Sequence, residues 1–346
     1  MTYAYPNLQQ WERGPRIVAV GGGTGLSTML RGLKRYPRNL SAIVTVADDG
    51  GGSGMLRRDM GMLPPGDIRH CMEALANTEP VMEQLLTYRF TEGALAGQSF
   101  GNLFLAALNG VTGSFEEAVS QMSRVLAVTG EIIPVTGADV QLEAVFENGS
   151  RVVGESGICA FKRAQNCRIA HVNLIPDRPA PLPGAIRAIR EADLILLGPG
   201  SLYTSIIPNL LVEGVAEEIV QAQAPKLYIC NIMTQEGETE GYTAADHVEA
   251  LLTHGGAGLA DICLANSAPV PPQLVEKYQE ESAAPLLVDR ERLAALGMEV
   301  VELPVADTQG DYARHDPEKL AHAILEIYRS RTVRIFKGSR RYVLED

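Results

Sequence analysis

The chain has no run approaching the roughly 18 apolar residues of a membrane-crossing helix. Its opening stretch, MTYAYPNLQQWERG, has neither a basic leader nor an apolar one, so a cytoplasmic protein without a membrane span is the expectation. It is also short of positive charge, with 30 Lys and Arg against 42 Asp and Glu and a formal net charge of -12. That balance argues against a surface tracking nucleic acid, where affinity rests on many Lys and Arg contacts, so an anionic ligand would have to be held locally. Cysteine is scarce: five residues, an odd number without a C-x-x-C pair, fit reduced thiols rather than a disulfide framework. The six histidines show no H-E-x-x-H or other metal spacing, and no Ser-His-Asp constellation or internal repeat is evident.

Glycine is plentiful, with 34 residues, and its placement organises the chain. Arg16 to Arg35 reads RIVAVGGGTGLSTMLRGLKR. Ile17 to Val20 is an apolar run without a polar face, as suits a strand buried on both sides in a parallel sheet. Leu26, Met29, Leu30 and Leu33 recur at helical spacing and predict a helix from about Leu26. Between them Gly22, Gly23, Thr24 and Gly25 form a turn in which a ligand can approach the backbone, at the positive end of a helix dipole. That is a place for phosphate. The pattern is neither G-x-G-x-x-G, since Leu26 stands at the third glycine, nor a P-loop, since no Lys-Ser/Thr pair follows.

A second strand, Ala42 to Val46, ends in ADDGGGSG. Asp48 and Asp49 repel one another unless a metal, a ribose or a turn uses them. In LPPGDIRHCMEAL, Asp67 stands at an N-cap position, and Arg69 in the first turn opposes the helix dipole unless an anion accompanies it. Asn102, in GQSFGNLFLAAL, could contact a ligand or cap a turn. The run ADLILLGPGSLYTS repeats the strand-and-turn theme, with Gly198, Gly200, Ser201 and Thr204 as a second backbone-rich loop. Two such loops in one sheet can hold the two phosphates of a diphosphate. Asn231, Thr234 and Gln235 stand at the C-terminal end of a further strand, Lys226 to Met233, where ligand contacts belong. Tyr278 could stack on a base and Arg314 could grip a phosphate.

These elements predict one large α/β core at 16–330, preceded by a polar lead at 1–15 and followed by a basic tail at 331–346. The alternation of VQLEAVFENGSRVVGE around Asn148-Gly149 predicts a hairpin within a small β-rich insertion at about 131–175. Thr243 with Asp246 has capping-box spacing, and Asp316-Pro317 opens a last helix. A homodimer is the expectation for such a protein.

The combination GGGTGLS, VADDGGGSG, PPGD-I-R, G-Q-S-F-G-N-L, LGPGSLYTSIIPNLL, CNIMTQEGETEGY and DHVEALL resembles the bacterial gluconeogenesis factor family, within the superfamily of 2-phospho-L-lactate transferase, over about Arg16 to Ile327. The resemblance implies a Rossmann-like three-layer α/β fold with a mostly parallel sheet and a nucleotide at the strands' C-terminal edge. It implies binding of UDP-sugars such as UDP-N-acetylglucosamine, and a role in growth on gluconeogenic carbon, cell-wall homeostasis and cell shape. The transferase branch implies phospholactate transfer with Mg²⁺, in which Asp49 would help hold the metal. The family's nucleotide loop maps to Gly22, Gly23, Thr24 and Gly25, its acidic corner to Asp48 and Asp49, its second loop to Gly198, Gly200 and Ser201, and ligand-side positions to Tyr278 and Arg314. Gly52 stands where the family has a serine, and Gln98 where it has a histidine, which removes a titratable group. A nicotinamide oxidoreductase fits poorly without the third glycine.

Overall fold

The computed structural model describes residues 14–36 and 39–339. Most of the polar lead, with Trp11, and the end of the basic tail lie outside the described residues. The helix Pro317–Ser339 includes the tail's beginning.

Strands β1 (Ile17–Gly21), β2 (Leu40–Val44) and β3 (Glu131–Pro134) are followed by β4 (Gln141–Phe146), β5 (Arg151–Val153) and β6 (Ile169–Ile175). Then come β7 (Leu194–Leu197), β8 (Lys226–Ile229), β9 (Ile262–Asn266), β10 (Glu299–Leu303) and the short pair β11 (Ala306–Asp307) and β12 (Arg314–His315). Seven of these form one sheet in the order β10-β9-β8-β7-β1-β2-β3, with every neighbouring pair parallel. Helices on its faces complete a Rossmann-like α/β fold. Burial explains the choice of residues: every position of β1 and β7 is buried, so neither strand needs a polar face.

The segment 131–175 divides between two sheets. Its first strand, β3, is the edge of the main sheet, and the small antiparallel sheet in the order β5-β4-β6 begins only at Gln141. The hairpin across Asn148-Gly149 joins β4 to β5, and β6 adds a third strand.

Helix α1 (Gly23–Leu33) starts three residues before Leu26, inside the glycine turn. Helix α2 (Gly51–Met60) begins within GGGSG, where the sequence suggests only a turn. Glycine disfavours helix by about 1 kcal/mol per residue, but Ser53, Gly54 and Leu56 are buried here, and tertiary packing outweighs the local preference. Helix α3 (Gly66–Leu75) buries Ile68, Cys71, Met72 and Leu75 as the spacing predicts, but its N-cap is Pro65, which places Asp67 in the first turn. The capping box of Thr243 and Asp246 is present. Asp316 accepts the N–H groups of Glu318 and Lys319 at 2.9 and 3.1 Å at the start of the last helix. No helix among the described residues is long and apolar enough to cross a membrane.

The chain runs outward from β1 through β2 to β3, then returns to β7 on the other side of β1 and proceeds to β10. The switch of direction therefore falls between β1 and β7. In open α/β sheets this switch opens a crevice outside the strands' carboxyl ends.

Candidate functional site

Both glycine turns leave the sheet at that crevice. Val20 pairs with Leu197, so the turn after β1 and the turn after β7 emerge side by side. They touch. A Cβ placed on Gly25 would lie 2.6 Å from the Pro199 carbonyl oxygen and 2.9 Å from the Gly200 nitrogen, so only glycine lets the two backbones approach this closely. Gly23, at φ +66°, takes the left-handed region that opens α1 from the turn.

The turns border a cavity of about 560 Å³, within the range of small-molecule sites. Gly22, Gly23, Thr24 and Gly25 line it from the first turn, and Gly200 and Ser201 from the second. Asn231, just beyond β8, lines it too, as do Tyr278 from the helix Pro272–Glu280 and Arg314 from β12. At this far end Tyr278 and Tyr312 meet edge to face with centroids 6.0 Å apart. Lys277 Nζ and Arg314 Cζ lie 4.2 and 5.6 Å from the centre of the Tyr312 ring. The end is at once aromatic and cationic, suited to a flat ring or an anionic group. Burial lowers the His315 imidazole to about 4, so it is neutral beside them.

Thr234 and Gln235 line it as well, whereas the remaining expected site residues do not. Gly198, at φ +81°, donates its N–H to Val20 O at 2.9 Å and serves the turn itself. Thr204 is buried and gives its hydroxyl to Glu238 at 2.8 Å. Arg69 has internal partners: it ion-pairs with Glu73, its Nε donates to Asn102 Oδ1 at 2.9 Å, and its other amino group lies 2.7 Å from His70 Nε2. Asn102 is thereby an internal partner of Arg69, and its own N–H donates to the capping Ser99 hydroxyl. Asp49 accepts the Ser156 N–H at 3.0 Å and the Ser156 hydroxyl at 2.9 Å, bracing the first turn of the helix Glu155–Gln165.

Asp48 and Asp67 stand behind the first turn. Asp48 accepts the Gly50 N–H at 2.8 Å. A Cβ on Gly22 would lie 2.3 Å from Asp67 Oδ2, so that carboxylate presses on the turn's backbone. Burial and the neighbouring charge of Asp48 push Asp67 up to about 7, against the pull of a Gly23 backbone hydrogen bond. Burial raises Asp48 as well. Among the described residues no group of three or more His, Cys, Asp or Glu side chains is arranged to hold a metal ion.

Comparison with known proteins agrees with this architecture. Residues 17–306 match the family model described as 2-phospho-L-lactate transferase CofD. A gluconeogenesis factor of Bacillus subtilis strain 168 is 50% identical over 314 residues, covering 90% of this chain and 98% of that protein. The chain belongs to the gluconeogenesis factor family. A relative of that family from Thermoanaerobacterium thermosulfurigenes is 54% identical over 312 residues, 90% of this chain and 96% of its own length. A crystal structure of a UPF0052 family member from Bacillus halodurans superposes with a TM-score of 0.86 at 46% identity, covering 89% of this chain and 99% of that one.

Three carboxylates of this family member escape a reading by motif. Glu238 is fully buried and accepts the Tyr203 N–H at 3.1 Å as well as the Thr204 hydroxyl. Burial pushes it up to about 7. Glu155 is pushed up to about 9 by burial and by Asp48, Glu238, Asp67 and Asp49 around it. Glu73 balances Arg69. The one sequence signal was the run of acids without matching base in QEGETEG, around Glu238. Tyr312 was similarly findable, two residues before Arg314.

Proposed function

We propose that the protein binds a nucleotide sugar of the UDP-N-acetylglucosamine type and acts as a regulator, needed for cell-wall homeostasis and cell shape during growth on gluconeogenic carbon. The contact of the two glycine turns at the edge of one cavity carries this reading. In it the diphosphate rests on backbone amides of both turns and on the start of α1, while the base or sugar extends toward Tyr278, Tyr312 and Arg314. Calorimetric titration with UDP-N-acetylglucosamine, guanosine diphosphate and NAD, each with and without Mg²⁺, tests it. Micromolar binding of the uracil nucleotide sugar and none of NAD is expected; a flat titration with the nucleotide sugar would refute the reading. Arg314→Ala and Tyr278→Ala are each expected to weaken binding by about tenfold, the worth of one charge-assisted or stacking contact.

The arrangement also suits a divalent cation arriving with the diphosphate. Mg²⁺ is held by one or two carboxylates plus phosphate oxygens. Asp48 and Asp67, mutually repelling and without an ion-pair partner among the described residues, fit that need better than Asp49, whose carboxylate braces Ser156. When bound, the cation would neutralise diphosphate charge. Titrations should therefore tighten when Mg²⁺ is added, and Asp67→Asn should remove most of that gain; an unchanged Mg²⁺ effect in the variant would exclude the role. A transferase reading is favoured by the description of the matching family model. Turnover of a phospholactate nucleotide donor, followed by phosphorus NMR, would replace regulator by transferase.

A further inference from the structure

One chain of side chains reaches the cavity from the buried Glu238. Glu238 accepts from Tyr203 N on one oxygen, and from the Thr204 hydroxyl and the Gln235 amide on the other, at 3.1, 2.8 and 3.3 Å. Gln235 lines the cavity and accepts the Ser201 hydroxyl on its own oxygen at 2.8 Å. An ionised carboxylate has no hydrogen to give, so the end of Gln235 that faces it is the NH₂. The opposite end is then the carbonyl, which can only accept. Ser201, spending its single hydrogen on that carbonyl, turns lone pairs toward the cavity.

We infer that Glu238, acting through Gln235, fixes Ser201 as a hydrogen-bond acceptor in the cavity, so that Ser201 meets a ligand hydroxyl and not a phosphate oxygen. Glu238 is a positioning residue: it lies outside the cavity lining and acts on the ligand only by setting a hydrogen's direction. A phosphate oxygen brings lone pairs against lone pairs, whereas a ribose or sugar hydroxyl supplies the missing hydrogen. Selectivity for a nucleotide sugar over bare diphosphate follows. The ligand side of this inference rests on the nucleotide-sugar reading above; the hydrogen directions do not.

The groups facing Glu238 leave its charge uncompensated. Glu240 on its own loop and Glu155 on the helix Glu155–Gln165 are acidic, Cys159 and Tyr203 are neutral, and the cations Lys162 and Arg163 are taken by Glu240 at 2.9 Å and Glu236 at 3.5 Å. With the carboxyl raised to about 7, the relay has the stated polarity above that pH. Below it, a neutral Glu238 can donate to a flipped Gln235, whose NH₂ then faces Ser201 and frees the hydroxyl hydrogen for the cavity.

Two measurements test this separately. Neutron diffraction from ligand-free crystals at about pH 8.5, well above the point where Glu238 ionises, should place the Gln235 deuterons beside Glu238 and the Ser201 deuteron beside Gln235. A Ser201 deuteron directed into the cavity would overturn the inference, whatever the protein binds. Titrations with inorganic pyrophosphate, UDP and UDP-N-acetylglucosamine then read the consequence. Glu238→Gln keeps the shape but offers Gln235 a donor, which inverts the relay. Its ratio of nucleotide-sugar to pyrophosphate affinity should fall by about tenfold, the worth of one hydrogen bond lost and one lone-pair clash relieved, and Ser201→Ala should lower the same ratio. Loss shared by UDP assigns the hydroxyl to the ribose; loss confined to UDP-N-acetylglucosamine assigns it to the sugar. Equal weakening of all three ligands in Glu238→Gln would mean that Glu238 only holds the loop together, and would refute the inference. Failure of the wild-type protein to bind either nucleotide would refute the nucleotide-sugar reading instead.

Discussion

Gly25→Ala is expected to abolish nucleotide binding and to lower the melting temperature together. The added methyl would lie 2.6 Å from the Pro199 oxygen, 2.8 Å from its carbonyl carbon and 2.9 Å from Gly200 N. All three are backbone atoms and none can swing aside. Overpacking of this kind costs about 1–3 kcal/mol, and the only relief is to part the two turns. If both turns must hold one diphosphate, separating them removes several backbone hydrogen bonds at once, and affinity should fall by at least about a hundredfold, near 2.7 kcal/mol. Gly110→Ala is the control. It lies inside the helix Phe100–Thr112 with nothing near its Cβ position, so alanine there should leave binding intact and stabilise slightly. Titration and thermal melting of the two variants check both halves. Normal affinity in Gly25→Ala would show that the turns act independently.

Glu155→Gln is expected to stabilise the protein in mildly alkaline solution. The wild-type carboxyl ionises near 4.5 when unfolded and is pushed up to about 9 in the fold. Between those values the folded chain holds a proton that the unfolded chain has released, so stability falls as pH rises through the window. The full shift corresponds to about 6 kcal/mol. Glu155 is only partly covered, and solvent screening reduces this to on the order of 2 kcal/mol. Glutamine cannot ionise and is free of the penalty. In chelator-containing buffer the variant should melt several degrees higher at pH 9 and match wild type at pH 4.5. The interval from pH 7 to 9 is the informative one. His70, His247 and His315, lowered to about 4 by burial, act at lower pH and in the opposite direction. Cys159, pushed up to about 12, ionises in the fold only above that interval. Parallel melting curves for the two proteins from pH 7 to 9 would show that Glu155 is solvated and its neighbours inert.

What could be read from the chain divides by distance along it. Apolar runs without a polar face, such as Ile17 to Val20 and Leu194 to Leu197, announced buried parallel strands because every residue of such a strand meets a neighbouring layer. Caps were equally legible, since Thr243 and Asp246, or Asp316 and its following amides, are within three residues of each other. The glycine turns were legible as backbone approach sites, and the structure brings Gly22 to Gly25, Gly200 and Ser201 around one cavity.

Polar side chains with distant partners were not legible. Asp49 reaches Ser156 across 107 positions, Arg69 reaches Asn102 across 33, and Thr204 finds Glu238 across 34. Each looked available for a ligand because its internal partner had no local signature. Helix α2 was hidden for a related reason: its glycines argue against a helix locally, and only its packed surroundings argue for one. The start of the small sheet falls later than expected because β3 and β4 follow one another closely along the chain, and the pairing of β3 with β2 is decided by the main sheet's open edge.

A crystal structure of the complex with UDP-N-acetylglucosamine and Mg²⁺ tests the shared cradle most directly. The diphosphate should lie within hydrogen-bonding distance of backbone amides from both the Gly22–Gly25 turn and the Gly200–Ser201 turn. Density for the diphosphate against one turn alone, or away from the β1–β7 crevice altogether, would contradict the account.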